Sequence, residues 1–183
     1  MGLTRITPAT TTPVSVAEVK AYCRIEGSDE NSLVEVLLKS AVSTIGERIG
    51  RPLAPEGWQL VLDQFSDAIE LGKAPVTAVT EVGYTDPDGL PQVVDPAVYS
   101  LDLVSQPQWV VRNEGQVWPD VLAGVNVVSV EFTVGYTSST IPAELKLAVL
   151  QLAEHWYSNR GTVNVGNIVN DLPFTVEDLI APD

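Results

Sequence analysis

A chain of 183 residues, 45% apolar and 19% charged, holds enough apolar material for one ordinary domain or one domain with a sizeable insertion, which excludes a disordered segment. Its formal charge of −14, ten basic against twenty-four acidic residues, excludes free electrostatic attraction to nucleic acid, because that attraction needs clustered Lys and Arg to displace counterions. A membrane-spanning helix is excluded as well, since no run of eighteen apolar residues occurs.

Residues 1–14 predict an extended arm, with Pro8, Pro13 and five threonines. The arm lacks the apolar run of a secretory signal, and Ile6 stands where an N-myristoylation site carries Ser or Thr. Ser15-Val16-Ala17-Glu18 fits a capping box, in which Ser15 caps the first amides and Glu18 reaches back. A short helix is expected from there to Glu26, with Val16, Val19 and Cys23 on one stripe and Gly27 ending it in a left-handed turn. Ser28 or Asp29 then caps a second helix, in which Val34, Leu37, Leu38, Ala41, Ile45 and Ile49 recur at helical spacing. Gly50-Arg51-Pro52 ends it, because proline biases its predecessor away from the helical region.

From Gly57 the period changes to two, and Trp58, Leu60 and Leu62 share a face. Val76–Tyr84 reads as a strand closed by the turn Thr85-Asp86-Pro87-Asp88-Gly89. Residues 98–104 and 108–112 are shorter strands separated by Ser105-Gln106-Pro107, and Asn113-Glu114-Gly115 turns the chain again. The clearest strand is 125–136, where Val128, Val130, Phe132, Val134 and Tyr136 alternate with Ser129, Glu131, Thr133 and Gly135. Thr140-Ile141-Pro142-Ala143-Glu144 opens a long helix, with proline in the first turn. Its stripe is Leu145, Ala148, Val149, Leu152, Ala153 and Trp156, while Leu147, Leu150 and Tyr157 project from the other side. A surface helix of a monomer has a polar back, so this one is expected to be covered on both sides, either by neighbouring helices or by another subunit. Residues 161–170 are Gly/Asn-rich and read as a loop, and Thr175 with Asp178 marks a last short helix. The expected class is α+β: a small helical bundle of two N-terminal helices and one long C-terminal helix, with an inserted antiparallel β domain. Its parts are an arm at 1–14, a helical core at 15–52 and 140–183, and the insertion at 53–139.

Catalytic constellations are sparse. His155 is the only histidine and Cys23 the only cysteine, which leaves no disulfide, no His-based triad evident in the spacing, and too few ligands for zinc. Cys23 reads as a small buried apolar residue, consistent with folding in a reducing cytoplasm. The acidic pairs Asp63/Asp67 and Asp86/Asp88 raise a hydrolase reading, but Asp86 and Asp88 sit in an obvious turn and have too few oxygen ligands for calcium. No glycine-rich phosphate loop occurs. Trp58 and Trp156 fall in core phase. Trp109 and Trp118 leave open a second reading, an acidic β domain that binds carbohydrate through aromatic platforms. No catalytic residue, cofactor or metal is expected. The acidity is uneven: residues 52–140 hold twelve acids against two bases, ten of the fourteen net negative charges.

Three segments carry a family resemblance. The first runs Pro13-Val14-Ser15-Val16-Ala17-Glu18-Val19-Lys20-Ala21-Tyr22-Cys23-Arg24-Ile25-Glu26, followed by the acidic Ser28-Asp29-Glu30 and an apolar helix ending Ile49-Gly50-Arg51-Pro52-Leu53. The second is Ile141-Pro142-Ala143-Glu144-Leu145-Lys146, with its helix ending His155-Trp156-Tyr157-Ser158-Asn159-Arg160. The third is Leu172-Pro173-Phe174 with Leu179-Ile180-Ala181-Pro182. This order resembles the phage head–tail connector (adaptor) family, in its longer members with a β insertion, found in siphophages, prophages and gene transfer agents. The resemblance implies a non-enzymatic virion neck protein, assembled in the host cytoplasm as a ring of about twelve copies beneath the portal. Such a ring extends the DNA channel without sequence-specific binding and docks the next neck or tail-side protein, a stopper or tail terminator; no membrane is involved. Candidate subunit or portal contacts are Arg48, Arg51, Leu147, Leu150, Trp156, Arg160 and Phe174, the arginines lying at helix ends where they reach carboxylates or carbonyls.

Overall fold

The computed structural model describes residues 2–159, 176, 179 and 180. The chain is mixed α+β and divides into two compact units, one of residues 11–54 and 136–183 and one of residues 1–10 and 55–135.

In the first unit, α1 (Val16–Cys23) begins at the capping box legible in the sequence. The Glu18 amide donates to Ser15 Oγ at 3.2 Å, and the Ser15 amide donates to Glu18 Oε2 at 2.7 Å. The helix stops three residues before its expected end at Glu26. Arg24, not Gly27, adopts the left-handed conformation that closes it, with φ 56°. The cost of that conformation at a non-glycine residue is offset by a bond from the Ile25 amide back to the Lys20 carbonyl at 2.9 Å. Gly27, also left-handed with φ 72°, shapes the turn beyond. The Lys20 ammonium closes that turn by donating to the Gly27 carbonyl and to Asn31 Oδ1.

The next helix, α2 (Asn31–Arg48), is not capped by Ser28 or Asp29 side chains as expected. Glu30 occupies the N-cap with no side-chain cap bond, and the Ser28 backbone carbonyl accepts from the Asn31 amide at 3.1 Å. The Glu30 carboxylate is engaged elsewhere, accepting from the Tyr157 hydroxyl of α3 (Ala143–Ser158). At its far end α2 closes as expected: Gly50 has φ 68°, and the Arg51 amide donates to the Gly46 carbonyl at 3.0 Å. Val19 of α1, Val34, Leu38, Ala41 and Ile45 of α2, and Ala148, Val149, Leu152 and Ala153 of α3 form one buried core, completed by Val14, Leu53 and Val176. Each fully buried aliphatic side chain stabilises such a core by about 1.5–3 kcal/mol. Thr175 and Asp178, expected to frame the last helix, lie outside the described residues, as does the 161–170 loop; Val176, Leu179 and Ile180 are helical.

The second unit is antiparallel throughout. Its larger sheet has the order β1-β2-β8-β4-β5, formed by β1 (Gly2–Thr7), β2 (Glu56–Leu62), β4 (Val76–Thr85), β5 (Pro91–Val93) and β8 (Val128–Val134). The smaller has the order β3-β7-β6, formed by β3 (Ala68–Glu70), β6 (Tyr99–Asp102) and β7 (Trp109–Arg112). The expected alternation holds along β8, whose valines and Phe132 are buried and whose Ser129, Glu131 and Thr133 are half-buried on the other face. Leu60, Val82, Val130, Phe132 and Val134 of the larger sheet share a core with Ile69 and Val110 of the smaller. The buried amide of Gln108 is satisfied within it: Oε1 accepts from the Val76 amide at 2.5 Å, and Nε2 donates to the Leu103 carbonyl at 2.7 Å.

Three strands were not expected: β1, β3 and β5. Residues 2–7 are extended, as the arm was expected to be, but they are hydrogen-bonded into the sheet along β2, from Gly2 opposite Val61 to Thr7 opposite Gly57. An amide in an extended segment needs a partner, and the free side of β2 supplies it.

Candidate functional site

Three of the four acidic residues that raised a hydrolase reading have their carboxylates bonded within the local structure, and the fourth, Asp88, donates its amide to Asp86. Asp86 Oδ1 accepts from the amides of Leu90 (2.9 Å) and Asp88 (3.0 Å) and Oδ2 from the Gln92 side chain, which together hold its carboxyl below the usual range. Asp63 accepts from the Asn126 amide at 2.8 Å, and Asp67 receives the Arg112 guanidinium through Nε at 3.0 Å and Nη2 at 2.8 Å. These carboxylates fix turns and a strand end. Among the described residues, no group of three or more His, Cys, Asp or Glu is placed to hold a metal ion, and no helix is long and apolar enough to cross a membrane. His155 is half-buried on α3 with Asn159 beside its ring, and Cys23 has its thiol pushed up first by burial and then by the Glu154 carboxylate, away from the reactive thiolate.

The tryptophans do not form an open platform. Trp118 lies 4.5 Å from Phe65 with the rings within 4° of parallel, Tyr99 sits at 6.3 Å, and Trp118 Nε1 donates to the Ser66 carbonyl at 2.9 Å. Its stacking surface is spent on pinning the loop before β8. Trp58 is half-buried in β2 under the Lys73 ammonium, and Trp109 is half-buried in β7.

What is left is surface. Arg48 ends α2 and Arg51 follows it, both exposed, and Arg160 and Phe174 lie outside the described residues. On α3 the side that carries Leu147, Leu150 and Tyr157 is covered, as expected, at all but one of these positions. Leu147 is exposed, whereas Leu150, Trp156 and Tyr157 are half-buried against the helical core. The helix is covered nearly all round because α1, α2 and the residues around Val176 contribute to that core. Two polar bonds fix α3 in place: Tyr157 to Glu30, and Lys146 to Glu18. The Lys146 hydrogen bond, followed by those from Ser15, lowers the Glu18 carboxyl from 4.5 to about 2. An apolar feature that sequence reading passed over is on α2, where Leu33 and Val36 are exposed on the side away from the core. Its signal was present: both residues are out of phase with the Val34-Leu38-Ala41-Ile45 stripe.

Comparison with known proteins gives this surface its context. The family model described as head completion protein (HCP) matches residues 13–166. A search of the curated proteins returned no match. Among solved structures, the chain is similar to a chain from the neck of an empty gene transfer agent (GTA) particle computed with C6 symmetry, at 27% identity and TM-score 0.73, covering 98% of this chain and 93% of that one. It is similar at 26% identity to chains from the virion of a native GTA particle (TM-score 0.72) and from the neck of a native GTA particle computed with C12 symmetry (TM-score 0.71), with the same coverage. A family-model match over most of the chain leads to one statement: the chain belongs to the head completion protein family, a family of structural neck proteins and not of enzymes.

Proposed function

We propose that the chain is a head–tail connector subunit in the neck of a phage or GTA-like virion. It assembles in the host cytoplasm as a ring, of about twelve copies, under the portal. There it extends the DNA channel and docks the next neck or tail-side protein, a stopper or tail terminator. The observation that carries this reading is likeness over nearly the whole length to neck chains of GTA particles, at 27% identity and with 98% of this chain covered.

The charge agrees with a conduit. With −14 overall and ten of those charges in residues 52–140, the wall does not grip phosphates, and DNA passes without sequence-specific binding. The helical parts, 15–52 and 140–183, serve as the connector core, 53–139 as a β insertion and 1–14 as an arm that joins its sheet. Arg48, Arg51, Leu147, Leu150, Trp156, Arg160 and Phe174 are proposed to contribute to contacts with neighbouring subunits or the portal.

Deleting the coding sequence tests the function. DNA-filled heads that lack tails are the expected product; tailed, infectious particles assembled without this chain would overturn the reading.

A further inference from the structure

We infer that α2 and α3 carry the two halves of a head-to-tail contact between copies of this chain: the outward face of α2 in one copy, centred on Leu33 and Val36, seats antiparallel against the outward face of α3, centred on Leu147, in the next. The inference rests on the ring assembly proposed above and assigns its interface.

The first observation is exposure. Val34, Leu38, Ala41 and Ile45 point α2 into the core, and at 100° per residue Leu33, Val36, Ser40 and Ser43 fall on the opposite side. Over its first three turns that outer stripe holds no charge, with Val36 60% exposed and Leu33 37%, and only in the last turn does Glu47 fall on it, bonded to Ser43. A helix with a solvated back carries charged residues there instead. On α3 the corresponding outward residue is Leu147, 37% exposed, on a helix whose residues from Leu150 to Tyr157 are otherwise buried or half-buried.

The second observation is symmetry. A patch that matches itself closes a pair, whereas a closed ring requires each copy to present two different, mutually complementary patches. The helical unit exposes apolar side chains on two separate helices, Leu33 and Val36 on α2 and Leu147 on α3, which meets that requirement.

The third observation is charge, and it chooses both occupant and direction. Copies that each carry −14 repel, so they approach best where charge is absent or opposite. Charged residues on α2 sum to zero: Glu35, Lys39, Glu47 and Arg48. Lys39 follows Val36 by three residues, and Glu144 precedes Leu147 by three. Only an antiparallel crossing places Val36 on Leu147 and, one turn on, Lys39 on Glu144. Lys39 meanwhile bonds Glu35 at 2.6 Å in an exposed pair of the kind that exchanges partners at little cost.

The test uses full-length protein in assembled particles, with Cys23→Ala as background and Val36→Cys and Leu147→Cys as reporters for a short bifunctional maleimide. The doubly substituted chain is expected to give a ladder of dimers, trimers and higher species. Co-assembled single variants should give mixed dimers, and each single variant alone none. Lys39→Glu is expected to cut the cross-linked product about tenfold, and Lys39→Glu with Glu144→Lys to restore it. Particles that hold the chain but yield no ladder overturn the contact, as do dimers formed by Val36→Cys alone, which indicate a self-matching face. Loss of rescue in the charge reversal overturns the antiparallel register. Particles that assemble without the chain count against the neck function itself, which separates that failure from a failure of the interface.

Discussion

The two units of this protein handle their apolar residues differently. In the β unit the exposed apolar side chains are dispersed, Val104, Val117 and Val125 in loops and Ile6, Val93, Leu101 and Val111 one to a strand, while both sheets turn their inward rows onto one core around Phe132. In the helical unit, exposed apolar residues lie on helix faces, Leu33 and Val36 on α2 and Leu147 on α3. Scattered apolar residues are ordinary for any soluble surface, but aligned ones signal a partner. Charge divides along nearly the same line, with ten of the fourteen net negative charges in residues 52–140. Under the proposed ring assembly, the contrast is a division of labour, with the near-neutral helix faces reserved for contacts between copies.

The separateness of the two cores can be broken directly. Phe132→Ala removes the largest fully buried side chain of the β core and is expected to cost about 3–5 kcal/mol, accelerating hydrogen exchange at β8 amides while α2 amides keep their protection. Equal acceleration in both would show a single cooperative core. Leu38→Ala, the reciprocal change in the helical unit, should cost about 2–5 kcal/mol with the opposite exchange pattern.

Two smaller effects sharpen the picture of the helical unit. Gln151 on α3 has a side-chain oxygen hidden from water with no hydrogen-bond partner among the described residues. Gln151→Leu removes that unmet acceptor at similar volume, so denaturant unfolding should show a gain of about 1 kcal/mol. The smallest effect is the pH dependence of the α1–α3 link. The Glu18 carboxyl is lowered in the folded chain from 4.5 to about 2, so the stability it contributes is fully present above pH 4.5 and is lost as pH falls through about 2. Glu18→Gln abolishes that contribution, and the drop in melting temperature between pH 7 and pH 2.5 should be smaller in the variant. The difference should correspond to under about 1 kcal/mol, because the pair is partly exposed and screened.

Legibility in the sequence followed range and length. The α1 capping box, the α2 and α3 stripes and the β8 alternation are read within one element, and each was visible. β3 and β5, at three residues each, are shorter than a period-two pattern needs. In β1, Leu3 and Ile6 fall out of alternation, and its extended state is fixed by pairing with residues more than fifty positions away. The start of α2 was misread because the Glu30 carboxylate goes to Tyr157, 127 residues along the chain. The sequence showed that both sides of α3 must be covered, and Leu150 and Tyr157 are, but the angle of each residue on its helix does not say which neighbours do the covering. The surface shows the same limit: Leu33 and Val36 drew no notice in the sequence, because a residue off the core stripe is ordinarily a solvated one.

The pairing of β1 with β2 bears on how this molecule is cut apart. Residues 55–135 look like a cassette that an expression plasmid could carry alone, yet the first strand of their sheet is contributed by residues 2–7. A fragment made without that strand bares the backbone of Trp58–Val61 as a sticky seam, the sort of surface along which recombinant sheets clump. Splicing the first ten residues onto the fragment would restore its missing border.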